Sequence, residues 1–153
     1  MRAINHALTG AVIGAAIAEP AIALPLAFVS HYVCDAIPHY GGGKPEEEEL
    51  NSTSFRSLLL VDAGLCGLLV LILALYRPKH WLLMAVCAFL AASPDLFSIG
   101  RYRSARKHRK PHLSLYQRFA SGIQWFERPI GAVVEVAWLI AMLTILILIT
   151  RQR

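Results

Sequence analysis

Apolar stretches of roughly 15–22 residues recur along this chain, separated by short polar turns. At about 1.5 Å per residue, helices of that length span or nearly span the hydrocarbon core of a bilayer. The composition agrees, because 56% of the residues are hydrophobic and only 16% are charged, which is unlike an ordinary soluble domain. We therefore predict an all-α integral membrane protein, a helical bundle formed by one domain over residues 1–153.

Proline, glycine and charged residues divide the apolar sequence into five predicted membrane helices. The first two form a hairpin that turns at Glu19–Pro20, and Gly10 and Gly14 give the first helix a GxxxG face suited to close packing. A further segment, over about residues 113–126, is amphipathic and is predicted to lie at the membrane surface. The five predicted spans cover about residues 4–18, 21–37, 57–76, 81–92 and 129–150.

Basic residues are unevenly distributed over the two sides of this five-span arrangement. The side that holds the amino terminus, the 40–56 connection and the 98–128 segment receives 11 of the 15 lysines and arginines, and the other side receives 4. The positive-inside rule makes the first side cytoplasmic and predicts a multi-pass protein of the cell inner membrane. The basic run over residues 101–110 suits an anionic head group, although taken alone its role as a topology determinant is the better explanation. A nucleic-acid partner fits poorly with a chain this apolar.

His31 and Asp35 stand four residues apart on one helical face, and Pro38 ends that helix before His39. Imidazole and carboxylate within one helical turn are a common pair of ligands for a divalent metal. In the five-span arrangement, the other metal-competent side chains fall at the same membrane face. They are His6, Asp62, Asp95, Glu135, His108 and His112.

Acidic side chains within apolar helices cost about 2.5–3.5 kcal/mol each on insertion scales, so they are expected to share a partner. Asp35, Asp62 and Glu135 are the acids concerned. A metal cation is one candidate partner, and a network of arginine salt bridges is the other. A metal site predicts that His6, His31, Asp35 and Asp62 converge with no arginine among them.

Four short motifs occur together between residues 6 and 112. They are His6-x-x-Thr9-Gly10, Ser30-His31-x-x-x-Asp35-x-x-Pro38-His39, Ser93-Pro94-Asp95-Leu96 and His108-x-x-x-His112. This combination resembles the bacterial membrane-bound metal-dependent hydrolases, small multi-helix inner-membrane proteins of which some are controlled by the SOS repressor. That family is grouped with the zinc-dependent phospholipase C superfamily. The resemblance implies one or two divalent ions, with zinc as the expected metal.

The resemblance further implies a hydrolase that acts at the cytoplasmic membrane face on a phosphate-ester lipid or another amphiphilic phosphoester. The expected metal ligands are His6, His31, Asp35, His39, Asp62 and Asp95. The expected catalytic residues are Glu135 and His112. For Asp95 a local role is the alternative, because Ser-Pro-Asp is also a typical helix start. The alternative function is a membrane scaffold or metal-handling protein without turnover, and nothing in the sequence indicates an oligomeric state.

Overall fold

The structure, a computed structural model, is all-helical over the residues it describes, which are 1–41, 48, 51–98 and 114–151. The helical class is therefore confirmed, and the amphipathic helix is shorter than its predicted range of 113–126. The elements are α1 (Ala3–Ala16), α2 (Pro20–Ala36), α3 (Thr53–Tyr76), α4 (Trp81–Ala92), the 3-10 helix Ser93–Ser98, α5 (Leu115–Ile123) and α6 (Gly131–Arg151).

The ends of α2 follow the local sequence. Glu19 caps the helix by accepting a hydrogen bond from the Ala21 amide, and Pro20 occupies the first turn, where its missing N–H would be unpaired in any case. The helix stops at Ala36 because the residue before a proline avoids helical backbone angles, and Pro38 follows directly after Ile37. Asp35 therefore lies in the last helical turn, and the chain beyond it leaves the helical path.

The first helix, α1, is the centre of the fold, since it contacts α2, α3, α4 and α6. Its most extensive contact is with α4. A methyl group added at Gly10 would overlap the backbone carbonyl of Cys87, and one added at Gly14 would lie 2.8 Å from Cα of Met84. The two glycines thus bring α1 against α4, which is the helix that the predicted GxxxG face packs on.

Many large apolar side chains are exposed on the outside of this fold, while several polar side chains are buried beside its apolar core. Leu60, Leu75 and Ile140 are examples of large apolar side chains that point outward from α3 and α6, with 75%, 71% and 59% of their surface exposed. Several polar and charged side chains are buried as well. The buried ones are Asn5, His6, Ser30, His31, Asp35, His39, Asp62 and Glu135.

Two helices of the described chain, α3 and α6, are long and apolar enough to cross a membrane. Only 17% and 11% of their most apolar windows are buried, so neither is the enclosed core helix of a soluble protein. The helices α1 and α2 and the segment Trp81–Phe97 are apolar as well, but they have 10–17 residues.

Candidate metal centre

Four of the predicted site residues meet in one cluster, where the start of α1, the end of α2 and the 3-10 helix after α4 come together. His6 lies in the first turn of α1, His31 and Asp35 lie on successive turns of α2, and Asp95 lies in the 3-10 helix after α4. His6 is fully buried and His31 and Asp35 are 4% exposed, whereas the side chain of Asp95 is 42% exposed. We call these four side chains the polar cluster.

Asp35 is the centre of the polar cluster. Its Oδ1 lies 3.1 Å from Nε2 of His6, and its Oδ2 lies 3.3 Å from Nε2 of His31. The two imidazole rings stack with their centroids 4.1 Å apart, and His31 Nε2 lies 3.8 Å from Oδ1 of Asp95. One ligand atom each from His6, His31 and Asp95 can be chosen so that all three lie within 4.8 Å of one another, a spacing that suits a shared metal ion.

The hydrogen bond made by Nδ1 of His31 determines what its other nitrogen can do. Nδ1 lies 2.9 Å from the Ala91 carbonyl, and a carbonyl can only accept, so Nδ1 carries a hydrogen. In the neutral ring, Nε2 then carries a lone pair that faces the carboxylates of Asp35 and Asp95. Because the nitrogen and the carboxylate oxygens are all acceptors, this arrangement needs a proton or a metal cation between them. A backbone carbonyl that holds the distal N–H of a histidine is also the usual support of a metal-ligating imidazole.

His6 is the least satisfied polar side chain of the polar cluster. Its Nε2 lies within ion-pair distance of Asp35, but neither ring nitrogen has a properly aligned hydrogen bond among the described residues. The contact with Asp35 is short but poorly aligned, and a hydrogen bond weakens steeply away from linearity, so it leaves the imidazole poorly satisfied. Buried polar atoms without partners are rare in folded proteins and are often explained by a bound ion or water.

Two further groups contact Asp35. The ammonium of Met1 donates to Oδ1 at 2.6 Å, and the side-chain amide of Gln124 donates to Oδ2 at 3.1 Å. Both carboxylate oxygens therefore have positively polarised neighbours in addition to the two histidines.

Asp62 and Glu135 form a second group, in which Arg2 is the common partner. The Arg2 guanidinium donates from Nε to Asp62, with distances of 3.1 and 3.3 Å to the two oxygens, and Nη2 lies 3.1 Å from Oδ1. The backbone amide of Arg2 donates to Oε1 of Glu135 at 3.0 Å. The expectation that no arginine lies among the predicted ligands is therefore wrong. The physical reason is that Arg2, at the start of α1, reaches α3 and α6 at the depth of their acids.

His39 lies in a separate contact between the segment after α2 and the segment before α6. Its Nδ1 is 2.8 Å from the Ile37 carbonyl and its Nε2 is 3.4 Å from Oε1 of Glu127. Backbone contacts accompany this pair, since the Arg128 amide donates to the His39 carbonyl and the two segments form an isolated β-bridge. Gly131 is required here, because a methyl group on it would overlap the His39 carbonyl. No described contact joins His39 to the polar cluster.

His108 and His112 lie outside the residues that the structure describes, so their predicted roles stay predictions. Sequence reasoning missed the parts played by Arg2 and Gln124. Arg2 was counted only as a topology charge, although an arginine next to the first apolar helix is a natural partner for acids buried in neighbouring helices. Gln124 is a polar residue at the end of an amphipathic helix, which gives no signal of a contact with Asp35.

Searches of protein-family models, of curated proteins and of solved structures found no significant match to this chain.

Proposed function

We propose that this protein is a membrane-bound hydrolase that holds a divalent cation between His6, His31, Asp35 and Asp95. The observation that carries the proposal is Nε2 of His31, which faces two carboxylates at 3.3 and 3.8 Å while Nδ1 is fixed on a backbone carbonyl. The unpartnered ring nitrogens of His6 support it, because a cation bound beside Asp35 would satisfy a buried imidazole.

The donor set fits zinc, which accepts imidazole nitrogen and carboxylate oxygen together. When bound, such a cation acts as a Lewis acid toward a phosphoryl oxygen and lowers the pKa of a water molecule. Asp95 is the one member of the polar cluster with a substantially exposed side chain, so it is the group best placed to exchange a proton with a substrate or with solvent. The likeness of the four sequence motifs to metal-dependent hydrolases supports hydrolytic chemistry on a phosphoester.

The proposed setting is a bilayer crossed by five helices, with the polar cluster toward the cytoplasm. The apolar outer surfaces of α3 and α6 support membrane insertion. The contacts of the buried polar groups support the alternating direction of the helices. They join the start of α1 to the end of α2, the first half of α3 and the start of α6, and they join the end of α2 to the 3-10 helix after α4. In this setting an amphiphilic phosphoester, such as a phospholipid, would reach the polar cluster from the lipid phase.

Metal analysis of the purified protein tests the proposal. We expect the wild-type protein in detergent to retain one zinc ion per chain after loading and removal of excess metal. His31→Gln should lose most of that zinc, because the carbonyl-supported imidazole is removed. His80→Asn is the matched control, since His80 lies at the other end of α4 in a left-handed conformation (φ 64°) that Asn tolerates. A folded wild-type protein that retains no zinc would contradict the metal assignment, and hydrolysis of a panel of phospholipids then tests the activity.

A second candidate function is that of a non-catalytic membrane protein held together by ion pairs. The pairs Met1–Asp35 and Arg2–Asp62 favour it, because they neutralise two buried acids without any metal. Zinc retention without hydrolysis of any lipid in the panel would indicate a metal-handling protein. Absence of zinc together with a stable fold would indicate a scaffold.

The proposed topology predicts which segments are accessible from outside the cell. A cysteine introduced by Glu48→Cys should react with a membrane-impermeant maleimide only after permeabilisation, whereas Gln152→Cys should react in intact cells. The unmodified chain is the control for its native thiols, of which Cys34 and Cys87 are buried. Equal labelling of both introduced cysteines from outside would exclude five crossings.

A further inference from the structure

The helix α5 and the turn after it lie beside the polar cluster and are attached to it at few points. Gln124, at the C-terminal end of α5, donates its side-chain amide to Oδ2 of Asp35 at 3.1 Å. No residue of α5 is buried. An element with so little buried surface can open locally at a small free-energy cost, so this contact can be made and broken without unfolding the helices around it.

A second attachment holds the other end of α5. The hydroxyl of Tyr32 donates to that of Tyr116 at 3.2 Å, Tyr116 lies 3.4 Å from the Pro94 carbonyl as a donor, and the rings of Tyr32 and Phe119 pack with centroids 5.6 Å apart. Burial raises the pKa of the Tyr116 phenol, so the phenol keeps its hydrogen at neutral pH. Tyr32 and Pro94 are the chain neighbours of His31 and Asp95. Both ends of α5 are thus attached next to members of the polar cluster.

The outward side of α5 and its following turn is apolar and basic. Leu115, Phe119 and Trp125 are 84%, 57% and 70% exposed, and Arg118 is exposed beside them. The helix contains no acidic residue. A short amphipathic helix with one arginine and exposed leucine and phenylalanine side chains, followed by an exposed tryptophan, suits the headgroup boundary of an anionic membrane. The location agrees, because α6, one of the two helices able to cross a membrane, begins at Gly131, a few residues further on.

We propose that α5 and the Gln124–Trp125 turn form a cover over the polar cluster, and that the outer face of this cover binds the headgroup region of a membrane containing anionic phospholipid. Movement of α5 with the lipid surface then breaks or restores the hydrogen bond between Gln124 and Asp35. Access to the cluster is thereby coupled to the lipid interface. This inference rests on the proposed membrane location but not on metal binding or on hydrolysis.

The docking of the cover is tested by fluorescence of the intact protein in vesicles. The Trp125 signal is the difference between wild type and Trp125→Phe, which leaves Trp81 and Trp138 in place. In vesicles of phosphatidylcholine and phosphatidylglycerol, lipids brominated near the glycerol backbone should quench that signal more strongly than lipids brominated near the bilayer centre. Arg118→Gln should reduce the shallow quenching in the anionic vesicles and leave it unchanged in phosphatidylcholine alone. Absence of quenching of the Trp125 signal, or stronger quenching from the bilayer centre, would overturn the docking.

The covering role is tested by the reactivity of the buried histidines toward diethyl pyrocarbonate, read by peptide mass spectrometry. Gln124→Ala should raise the rate of modification of His6 and His31 about tenfold, the factor that corresponds to the loss of one hydrogen bond to a charged group. Gly122→Ala is the matched control on the same helix, because nothing lies within 4 Å of the added methyl group. Equal rates in wild type and Gln124→Ala would overturn the cover. A protein that binds no zinc but shows both effects would contradict the proposed metal function alone.

Discussion

Replacement of Asp35 by Asn is expected to weaken zinc binding by more than about 100-fold, the upper end of the effect seen for supporting groups, because we propose Asp35 as a ligand rather than a support. Asn keeps the size of the side chain but removes the negative charge that lies between His6 and His31. Any phosphoester hydrolysis should fall in parallel with bound metal. Equilibrium zinc competition with a chromogenic chelator, measured on the purified variant, checks the first effect, and an assay on phospholipid vesicles checks the second.

Asp62→Asn is the matched control for Asp35→Asn. Asp62 is also a buried acid in an apolar helix, but its carboxylate is held by the guanidinium of Arg2. We expect this variant to keep its zinc and to lose stability, since an arginine is left without its partner. Stoichiometric zinc in Asp35→Asn, or equal loss of zinc from both variants, would contradict the assignment of the metal to the polar cluster.

Replacement of Gly10 by Ala is expected to cost about 1–3 kcal/mol of stability, as is typical of an overpacked core. The new methyl group would overlap the carbonyl of Cys87, which belongs to the backbone of α4 and cannot rotate away. The same substitution at Gly64 places a methyl group in open space, with nothing within 4 Å. Gly64→Ala should therefore be neutral or stabilising by up to about 1 kcal/mol, which is the gain in helix propensity.

Unfolding of the two variants in detergent by increasing sodium dodecyl sulfate, followed by circular dichroism, measures this difference. Gly10→Ala should also lower zinc affinity, because His6 is one helical turn away from Gly10 and would move with α1. Equal stability of Gly10→Ala and Gly64→Ala would show that the close contact between α1 and α4 is absent.

Hydropathy predicted most of the fold, because the period and length of apolar segments depend only on local sequence. The pairing of His31 with Asp35 was predictable for the same reason, since both residues lie on one face of one helix. The predicted order of the helices also placed Asp95 at the same face as His31, although their contact depends on how the helices pack. Only the pairing of His31 with Asp35 needed no knowledge of packing.

The partners of Asp62 and His39 depended on packing and could not be predicted. Asp62 pairs with Arg2 because α1 packs against α3 at a depth that brings the two side chains together. The sequence does not determine the rotation or the depth of a helix. His39 follows Asp35 by four residues, which would place both on one face if the helix continued. The helix ends at Ala36, and the extended backbone that follows turns His39 toward Glu127.

The point at which α4 gives way to a 3-10 helix leaves a backbone carbonyl available to the His31 ring. In the 3-10 register that begins at Ser93, the carbonyl of Ala91 would accept from residue 94, but that residue is a proline and has no amide hydrogen. The carbonyl therefore has capacity for another donor, and Nδ1 of His31 uses it. Pro94 thus leaves a backbone acceptor for an imidazole on a different helix, and Nε2 of that ring faces Asp35 and Asp95. An exchange such as Pro94→Ala would supply a second donor to this carbonyl and so weaken its hydrogen bond with His31, without altering any residue of the polar cluster.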